Sequence, residues 1–117
     1  MNIVLLHGVL SREPELRELP SGDHVASFDL TIRDEGYDTD VVPISWPCAP
    51  APALDKLEPG RELVVTGRVR RRFFRAGGTT QSRTEVIATA VVPTRQSKQV
   101  DRALEAALAT GEEWLLG

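Results

Sequence analysis

The segment from Leu63 to Phe74 constrains the fold most, because it changes midway from apolar to cationic and reads L-V-V-T-G-R-V-R-R-R-F-F. Side chains alternate between the two faces of a β-strand. One face of this strand would carry Leu63, Val65 and Val69, and the other Arg68, Arg70, Arg72 and Phe74. A cationic surface with an aromatic ring suits a nucleic-acid strand, because phosphates need positive charge and unpaired bases need a flat surface. The alternative is the solvated outer face of an edge strand.

Charge is segregated along the chain. Its 117 residues fit one domain and carry a formal net charge of −3, which argues against a protein that binds polyanions over its whole surface. Six arginines and no acidic residue lie between Arg68 and Thr84, whereas Glu13 to Asp40 is rich in acids. Any binding of nucleic acid must therefore be local.

The candidate reactive residues do not form a catalytic or metal-binding pattern. Cys48 is the only cysteine, and it lies in a proline-rich stretch. His7 and His24 fall in predicted strands, and neither G-x-S-x-G nor the phosphate-loop motif occurs. We therefore expect no enzyme, no metal and no cofactor. The apolar run Ile3 to Leu6 is too short for a signal peptide or a membrane span, which favours a cytoplasmic protein and no membrane partner.

Short apolar or alternating runs predict five strands. They are Asn2 to Leu10, His24 to Arg33, Val41 to Trp46, Arg61 to Phe74 and Ser82 to Val92. Gly8 suggests a bulge or bend in the first strand, and Pro43 belongs at an edge or bulge. Gly77 and Gly78 predict the turn of a long hairpin. Prolines and glycines predict a structured loop between the first two strands.

Two helices complete the prediction. A short one is expected within Ala51 to Leu57, between the third and fourth strands. From Val100 onwards, apolar residues recur at helical spacing and predict an amphipathic C-terminal helix. Its apolar face can pack on the domain itself, on a second subunit or on another protein. The whole is typical of an all-β, five-stranded oligonucleotide-binding barrel (residues 1–93) with an added C-terminal helix (residues 94–117).

Several ordered motifs resemble those of bacterial single-stranded DNA-binding proteins. They are P-E-L-R at Pro14, P-S-G at Pro20, V-A-S-F-D-L at Val25, V-V-P-I-S-W at Val41, L-E-P-G-R-E-L-V-V-T-G-R-V at Leu57 and T-E-V-I-A at Thr84. The resemblance covers about residues 2 to 93. It implies a barrel that binds single-stranded DNA without reading its sequence and forms a homo-oligomer, commonly a tetramer. It also implies a role in DNA replication, repair or recombination, with the protein associated with the nucleoid. Other proteins of those processes would be further partners.

The resemblance also suggests site residues. Trp46 and Phe74 occupy positions where the family often has stacking aromatics, and Arg70 and Arg72 occupy positions that are often basic. With their neighbours they make up the predicted DNA-binding set: Tyr37, Trp46, Arg68, Arg70, Arg72, Phe74 and Arg75. A core or interface aromatic is the alternative for Trp46. The parity of Phe73 favours a core position.

Some residues depart from the family pattern and support a second hypothesis. Asp40 and Val41 stand where an aromatic is frequent, Ile3 and Val9 where polar or basic residues are frequent. Glu112 to Leu116 is acidic and then apolar, but its helical spacing favours packing over a recruitment tip like the one that ends the family's flexible tail. The alternative function is therefore a diverged barrel for oligomerisation or protein interaction, with weak or no DNA binding.

Overall fold

Most of the chain forms β-strands, as the alternating runs predict. The computed structural model describes residues 1–116, with side chains through residue 112. Its elements are β1 (Val4–Leu10), β2 (Glu15–Glu18), β3 (His24–Ile32), β4 (Asp40–Pro47), α1 (Ala51–Leu54), β5 (Glu62–Ala76), β6 (Thr79–Pro93) and α2 (Ser97–Leu116). Over these residues, neither helix has both the length and the apolar character that crossing a membrane requires.

The strands form a single sheet in the order β1-β5-β6-β4-β3-β2, and an added pairing between β1 and β3 closes it into a ring. β3 makes this closure possible because it pairs with β1 near Leu30 and with β2 near Ala26. β4 joins β6 in parallel at Ile44 and Ser45, and the other pairings are antiparallel. Pro43 precedes these two residues, where β4 has only β3 as its partner.

β2 is a strand that the sequence did not predict, so the expectation of five strands and of a loop over residues 11–23 is wrong in this respect. All four residues of β2 are exposed. Its backbone is held by pairing with β3 and not by burial of alternate side chains, so no apolar period marks it.

The core lies inside the ring and takes every second residue of the strands that enclose it. β3 contributes Ala26, Phe28 and Leu30, while Leu63 and Val65 of β5 are fully buried. Burial of each large aliphatic side chain contributes about 1.5–3 kcal/mol. Gly8 lies within the β1–β5 ladder, and a Cβ there would come within 2.6 Å of the Thr31 carbonyl oxygen. Glycine is thus required where β1 approaches β3. The ladder between β1 and β5 continues through Gly8 without a register shift.

α2 packs against the outside of this sheet, over β5 and β6. Gly111 is buried, and a Cβ at this position would lie 2.9 Å from Ile3 Cδ1. Val64 and Thr66, which point away from the core side of β5, are nevertheless buried. The described part of α2 thus packs on its own sheet, one of the three partners that the sequence left open, while Leu108 is 53% exposed. The side chain of Trp114 lies outside the described residues.

β5 and β6 form the hairpin that positions the candidate site. They stay paired from Leu63 opposite Pro93 to Ala76 opposite Thr79, with one register shift at Thr66/Gly67. Gly77 and Gly78 make the turn with φ values of 59° and 82°, which favour glycine. A Cβ on Gly67 would lie 2.1 Å from the Ile87 carbonyl oxygen, so the bulge also depends on glycine.

Candidate nucleic-acid interface

The hairpin has a buried half and an exposed half. β5 is buried from Leu63 to Thr66, whereas every residue from Arg68 to Arg75 is exposed. On β6, residues 79–84 are exposed and burial begins at Glu85. We call residues 68–84 the hairpin arm. Its ladder of hydrogen bonds continues beyond the core, so the arm presents both faces to solvent.

Cross-strand register assigns each side chain of the arm to a face. Val69 pairs with Val86, which belongs to the core, so this side is the core-side face. The outer face carries Arg68 opposite Ile87, Arg70 opposite Glu85, Arg72 opposite Arg83 and Phe74 opposite Gln81. The core-side face continues with Arg71 opposite Thr84, Phe73 opposite Ser82 and Arg75 opposite Thr80. Four of the six arginines therefore share the outer face, and Phe74 extends the same row.

The two arginines on the core-side face contact neutral groups. Arg71 Nη2 donates to Ser82 Oγ at 3.1 Å, and its guanidinium lies 5.1 Å from the centre of the Phe73 ring. Arg75 Nη2 donates to the Gly78 carbonyl oxygen at 3.2 Å. These contacts orient the guanidinium groups without neutralising them, so both charges can still attract an anion.

Arg72 is different because it forms an ion pair with a buried carboxylate. Its Nε lies 3.1 Å from Glu85 Oε1, and the two side chains are 44% and 7% exposed. A buried carboxylate needs such a partner, because an unpaired charge away from water is costly. The predicted phosphate-binding residue thus already holds a protein anion through one of its nitrogens.

Two phenylalanines are exposed on opposite faces of the arm. Phe74 is 45% exposed and Phe73 is 66% exposed. The expectation that Phe73 lies in the core is wrong, although its parity was assigned to the correct face, because the strand has left the core by this point. Both rings are accessible for stacking.

Tyr37 is exposed in the loop between β3 and β4, where four acidic side chains surround it in sequence. They are Asp34, Glu35, Asp38 and Asp40, all exposed. β4 runs parallel to β6, so this loop and the turn of the arm lie toward the same end of the sheet. The carboxylates repel phosphate, which makes Tyr37 a poorer contact than the arm residues.

Trp46 lies in the core and not on the predicted binding surface. It is 6% exposed, sits opposite Ala26 in the β3–β4 ladder and belongs to the same buried cluster as Ile44. This is the alternative that the sequence left open. Trp46 has the parity of Ile44, so alternation favours the core face, and only the family resemblance placed it on the binding surface.

Two further residues shape the arm, and neither was singled out by the sequence. Glu85 is one, and Asn2 is the other. Asn2 Nδ2 donates to the Val69 carbonyl oxygen at 2.8 Å, and Val69 N–H donates to Asn2 Oδ1 at 2.9 Å. The side-chain amide thereby extends the β1–β5 ladder to the foot of the arm. The negative charge of Glu85 beside an otherwise basic segment was the only signal in the sequence for either residue.

Comparisons with known proteins give a matching family and a similar solved structure. The model of the single-strand binding protein family matches residues 1–94 and so ends before α2 begins. A chain of the solved structure "Plasmodium falciparum SSB complex with ssDNA" is similar, with a TM-score of 0.69 and 26% sequence identity. The match covers 80% of this chain and 94% of that one. No curated protein matches the chain.

Proposed function

The chain belongs to the single-strand binding protein family, and from this premise we propose that it binds single-stranded DNA, independently of sequence, through the hairpin arm. The closed sheet would be the oligonucleotide-binding barrel of that family, formed by residues 1–93, with residues 94–117 as an added helix. The similar structure from Plasmodium falciparum is of an SSB in complex with ssDNA, which supports the same ligand for this chain.

The observation that carries the proposal is the concentration of charge on the arm. Residues 68–84 contain six arginines and no acidic residue in a chain whose net charge is −3. Guanidinium groups that contact phosphates release condensed counterions, which drives binding without reading base identity. Phe73 and Phe74 supply exposed rings on which bases stack, each stack contributing about 1–3 kcal/mol.

The proposed contacts are Arg68, Arg70, Arg72, Arg75 and Phe74 on the arm, with Tyr37 as a weaker contact at its edge. Arg71 and Phe73 join this set because they are exposed together on the core-side face. Trp46 is left out because it is buried.

We extend the proposal to the cellular role on the basis of family membership. The protein would serve DNA replication, repair or recombination as a homo-oligomer in the cytoplasm, at the nucleoid. Membership in a family of DNA-binding proteins is consistent with a role in reversible binding and not in catalysis. Binding of DNA would need no cofactor, because charge and stacking supply the binding energy.

The alternative, an interaction module with weak or no DNA binding, is favoured by the exposed acidic loop, which lies toward the same end of the sheet as the turn of the arm. α2 supports this alternative less than its sequence suggested, because the helix packs on its own sheet, although Leu108 is exposed. Salt separates the two functions, since binding to phosphate weakens steeply as salt rises.

The test is a titration of fluorescently labelled oligo-dT, followed by anisotropy at low and high salt. We expect saturable binding at low salt and a linear fall of log affinity with log salt concentration. A double variant, Arg70→Gln with Arg75→Gln, should bind several-fold more weakly and show a shallower slope, by about 0.7 for each phosphate that the variant no longer neutralises.

The matched control removes two exposed positive charges from α2 instead, as Lys98→Gln with Arg102→Gln. The net charge of the two double variants is the same, so a general charge effect would weaken both equally. Equal weakening, or no binding by the folded wild-type protein at low salt, would overturn the proposal.

A further inference from the structure

Glu85 is an unusual residue for the surface on which it lies. It is the only acidic residue between Arg68 and Thr94, yet it lies on the outer face, where four of the arm's arginines point. Its side chain is 7% exposed, so its charge is largely withdrawn from water. A carboxylate that only weakened a cationic surface would be an odd neighbour of a DNA-binding arm.

The ladder places Glu85 within a compact group of charges. Arg70 is directly opposite Glu85, and in the next row of the same face Arg72 is directly opposite Arg83. We call these four residues the outer-face quartet. Directly opposed side chains lie about 4.5–5.5 Å apart at Cβ, so the like charges of Arg72 and Arg83 repel each other. The quartet carries three positive charges and one negative charge, and it retains a net attraction for an anion.

Glu85 holds Arg72 by one end of its guanidinium group. The contact is to Nε, at 3.1 Å, whereas the two Nη groups have no hydrogen bond or ion pair among the described residues. A planar guanidinium held at Nε has a defined orientation and still has donors for a second acceptor. Fixing it in advance lowers the rotamer entropy that is lost when a ligand binds.

We propose that Glu85 is a positioning residue, which orients Arg72 so that Arg70, Arg72 and Arg83 together seat one phosphate of the DNA backbone. The inference rests on the proposed function and deepens it, because it assigns a phosphate subsite to the outer-face quartet. Glu85 itself does not touch the DNA. It stabilises the empty subsite against the repulsion between Arg72 and Arg83, and the phosphate completes the charge balance.

Removal of the Glu85 charge distinguishes this role from a general electrostatic one. If Glu85 only reduced the positive potential of the arm, Glu85→Gln would strengthen binding of DNA. If it positions Arg72, the same change should weaken binding of labelled oligo-dT by about fivefold to tenfold, the scale of one ordinary hydrogen bond. The slope of log affinity against log salt should fall by about 0.7, because one phosphate is no longer neutralised.

Glu62→Gln is the matched control, because Glu62 is an exposed acid at the other end of β5, where it lies 3.5 Å from His7. It removes the same charge outside the quartet, and we expect unchanged or slightly tighter binding. The double variant Arg72→Gln with Glu85→Gln should bind as weakly as Arg72→Gln alone, since Glu85 acts through Arg72. Should Arg72→Gln alone unfold because it strands a buried carboxylate, wild type, Glu85→Gln and the double variant still decide the matter.

Circular dichroism before each titration confirms that the variants are folded. Weaker binding by Glu85→Gln, with a reduced salt slope and no such change for Glu62→Gln, supports the phosphate subsite. Equal or tighter binding by Glu85→Gln overturns it, while leaving the proposed function intact provided the wild-type protein binds. If the wild-type protein does not bind, the proposed function itself falls.

Discussion

The two halves of the β5–β6 hairpin share one ladder of hydrogen bonds but differ in what surrounds them. In the buried half, Leu63 and Val65 are fully enclosed between the other strands of the ring. In the arm, the same pair of strands runs through residues 68–84 with six arginines and two exposed phenylalanines. The change occurs within two residues, at the register shift beside Gly67.

The difference shows that strand pairing and stability are separate properties. A backbone hydrogen bond contributes only about 0.5–1.5 kcal/mol net, and an isolated two-stranded hairpin is marginally stable in water. The arm therefore depends on the buried half for its shape. Conversely, most of its side chains are free to serve a ligand, because the core does not need them; Arg72 is the exception, since it pairs with the buried Glu85.

Leu63→Ala, in the buried half of the hairpin, should have the largest effect and tests whether the two halves have separate roles. The side chain is fully enclosed, so the truncation leaves a cavity and should lower the free energy of unfolding by about 2–5 kcal/mol. Urea denaturation measures the loss. Affinity of the folded protein for oligo-dT should stay within about twofold of wild type, since Leu63 supplies only packing. A large loss of affinity in fully folded protein would show that the halves are not separate.

Gly67→Ala tests the boundary between the halves. The added Cβ would lie 2.1 Å from the Ile87 carbonyl oxygen, which is backbone and cannot rotate away. The ladder must shift, and we expect a loss of about 1–3 kcal/mol in thermal or urea unfolding. Gly78→Ala is not an equivalent change, because that glycine has open space around it and a positive φ of 82°. An unchanged stability for Gly67→Ala would mean that the bulge is not a fixed boundary.

Phe74→Ala lies in the arm. In contrast to Leu63→Ala, it should lower affinity for DNA and leave the free energy of unfolding nearly unchanged. Losing one stacking surface should weaken binding of oligo-dT about tenfold, while the stability of this exposed site changes by less than about 0.5 kcal/mol. Leu16→Ala provides the control, because Leu16 is also an exposed apolar side chain but lies on β2. Equal effects of the two substitutions on affinity would argue against stacking at Phe74.

Trp46→Phe should have the smallest effect and tests the assignment of Trp46 to the core. The ring packs in the buried cluster, so we expect a loss of about 1 kcal/mol in urea unfolding and unchanged affinity for oligo-dT. Anisotropy of a labelled oligonucleotide is the suitable measurement, because it does not depend on tryptophan emission. A tenfold loss of affinity would restore Trp46 to the DNA-binding set.

The sequence predicted features that depend on a repeating pattern better than those that depend on the surroundings. Alternation in His24 to Arg33 and the Gly77-Gly78 turn located β3 and the hairpin, and the helical spacing after Val100 located α2. β2 was missed because it is exposed along its whole length and gives no apolar period. The core position expected for Phe73 is wrong for a related reason, since parity gives the face of a side chain but not how far the core extends. Trp46 is a different case, because the family resemblance pointed to the binding surface while the residue lies in the core.

The candidate site was likewise predicted in part. The run of arginines gave the cationic face directly, because charge is a property of the residues themselves. The pairing of Arg72 with Glu85 depends on cross-strand register, and register depends on the turn and on the bulge at Gly67. A shift of one position would have moved Glu85 to the other face, and nothing local in the sequence excludes it.

That sensitivity gives Asn2 a significance beyond its two hydrogen bonds. Its amide forms hydrogen bonds with both the N–H and the carbonyl of Val69. These bonds fix the register of β5 against β1 at the point where burial in the core no longer fixes it. A slip of β5 against β1 by one residue there would turn each row of arginines in the arm to the opposite side of the sheet. One side chain near the start of the chain thus helps to set which side of the sheet each row of arginines faces.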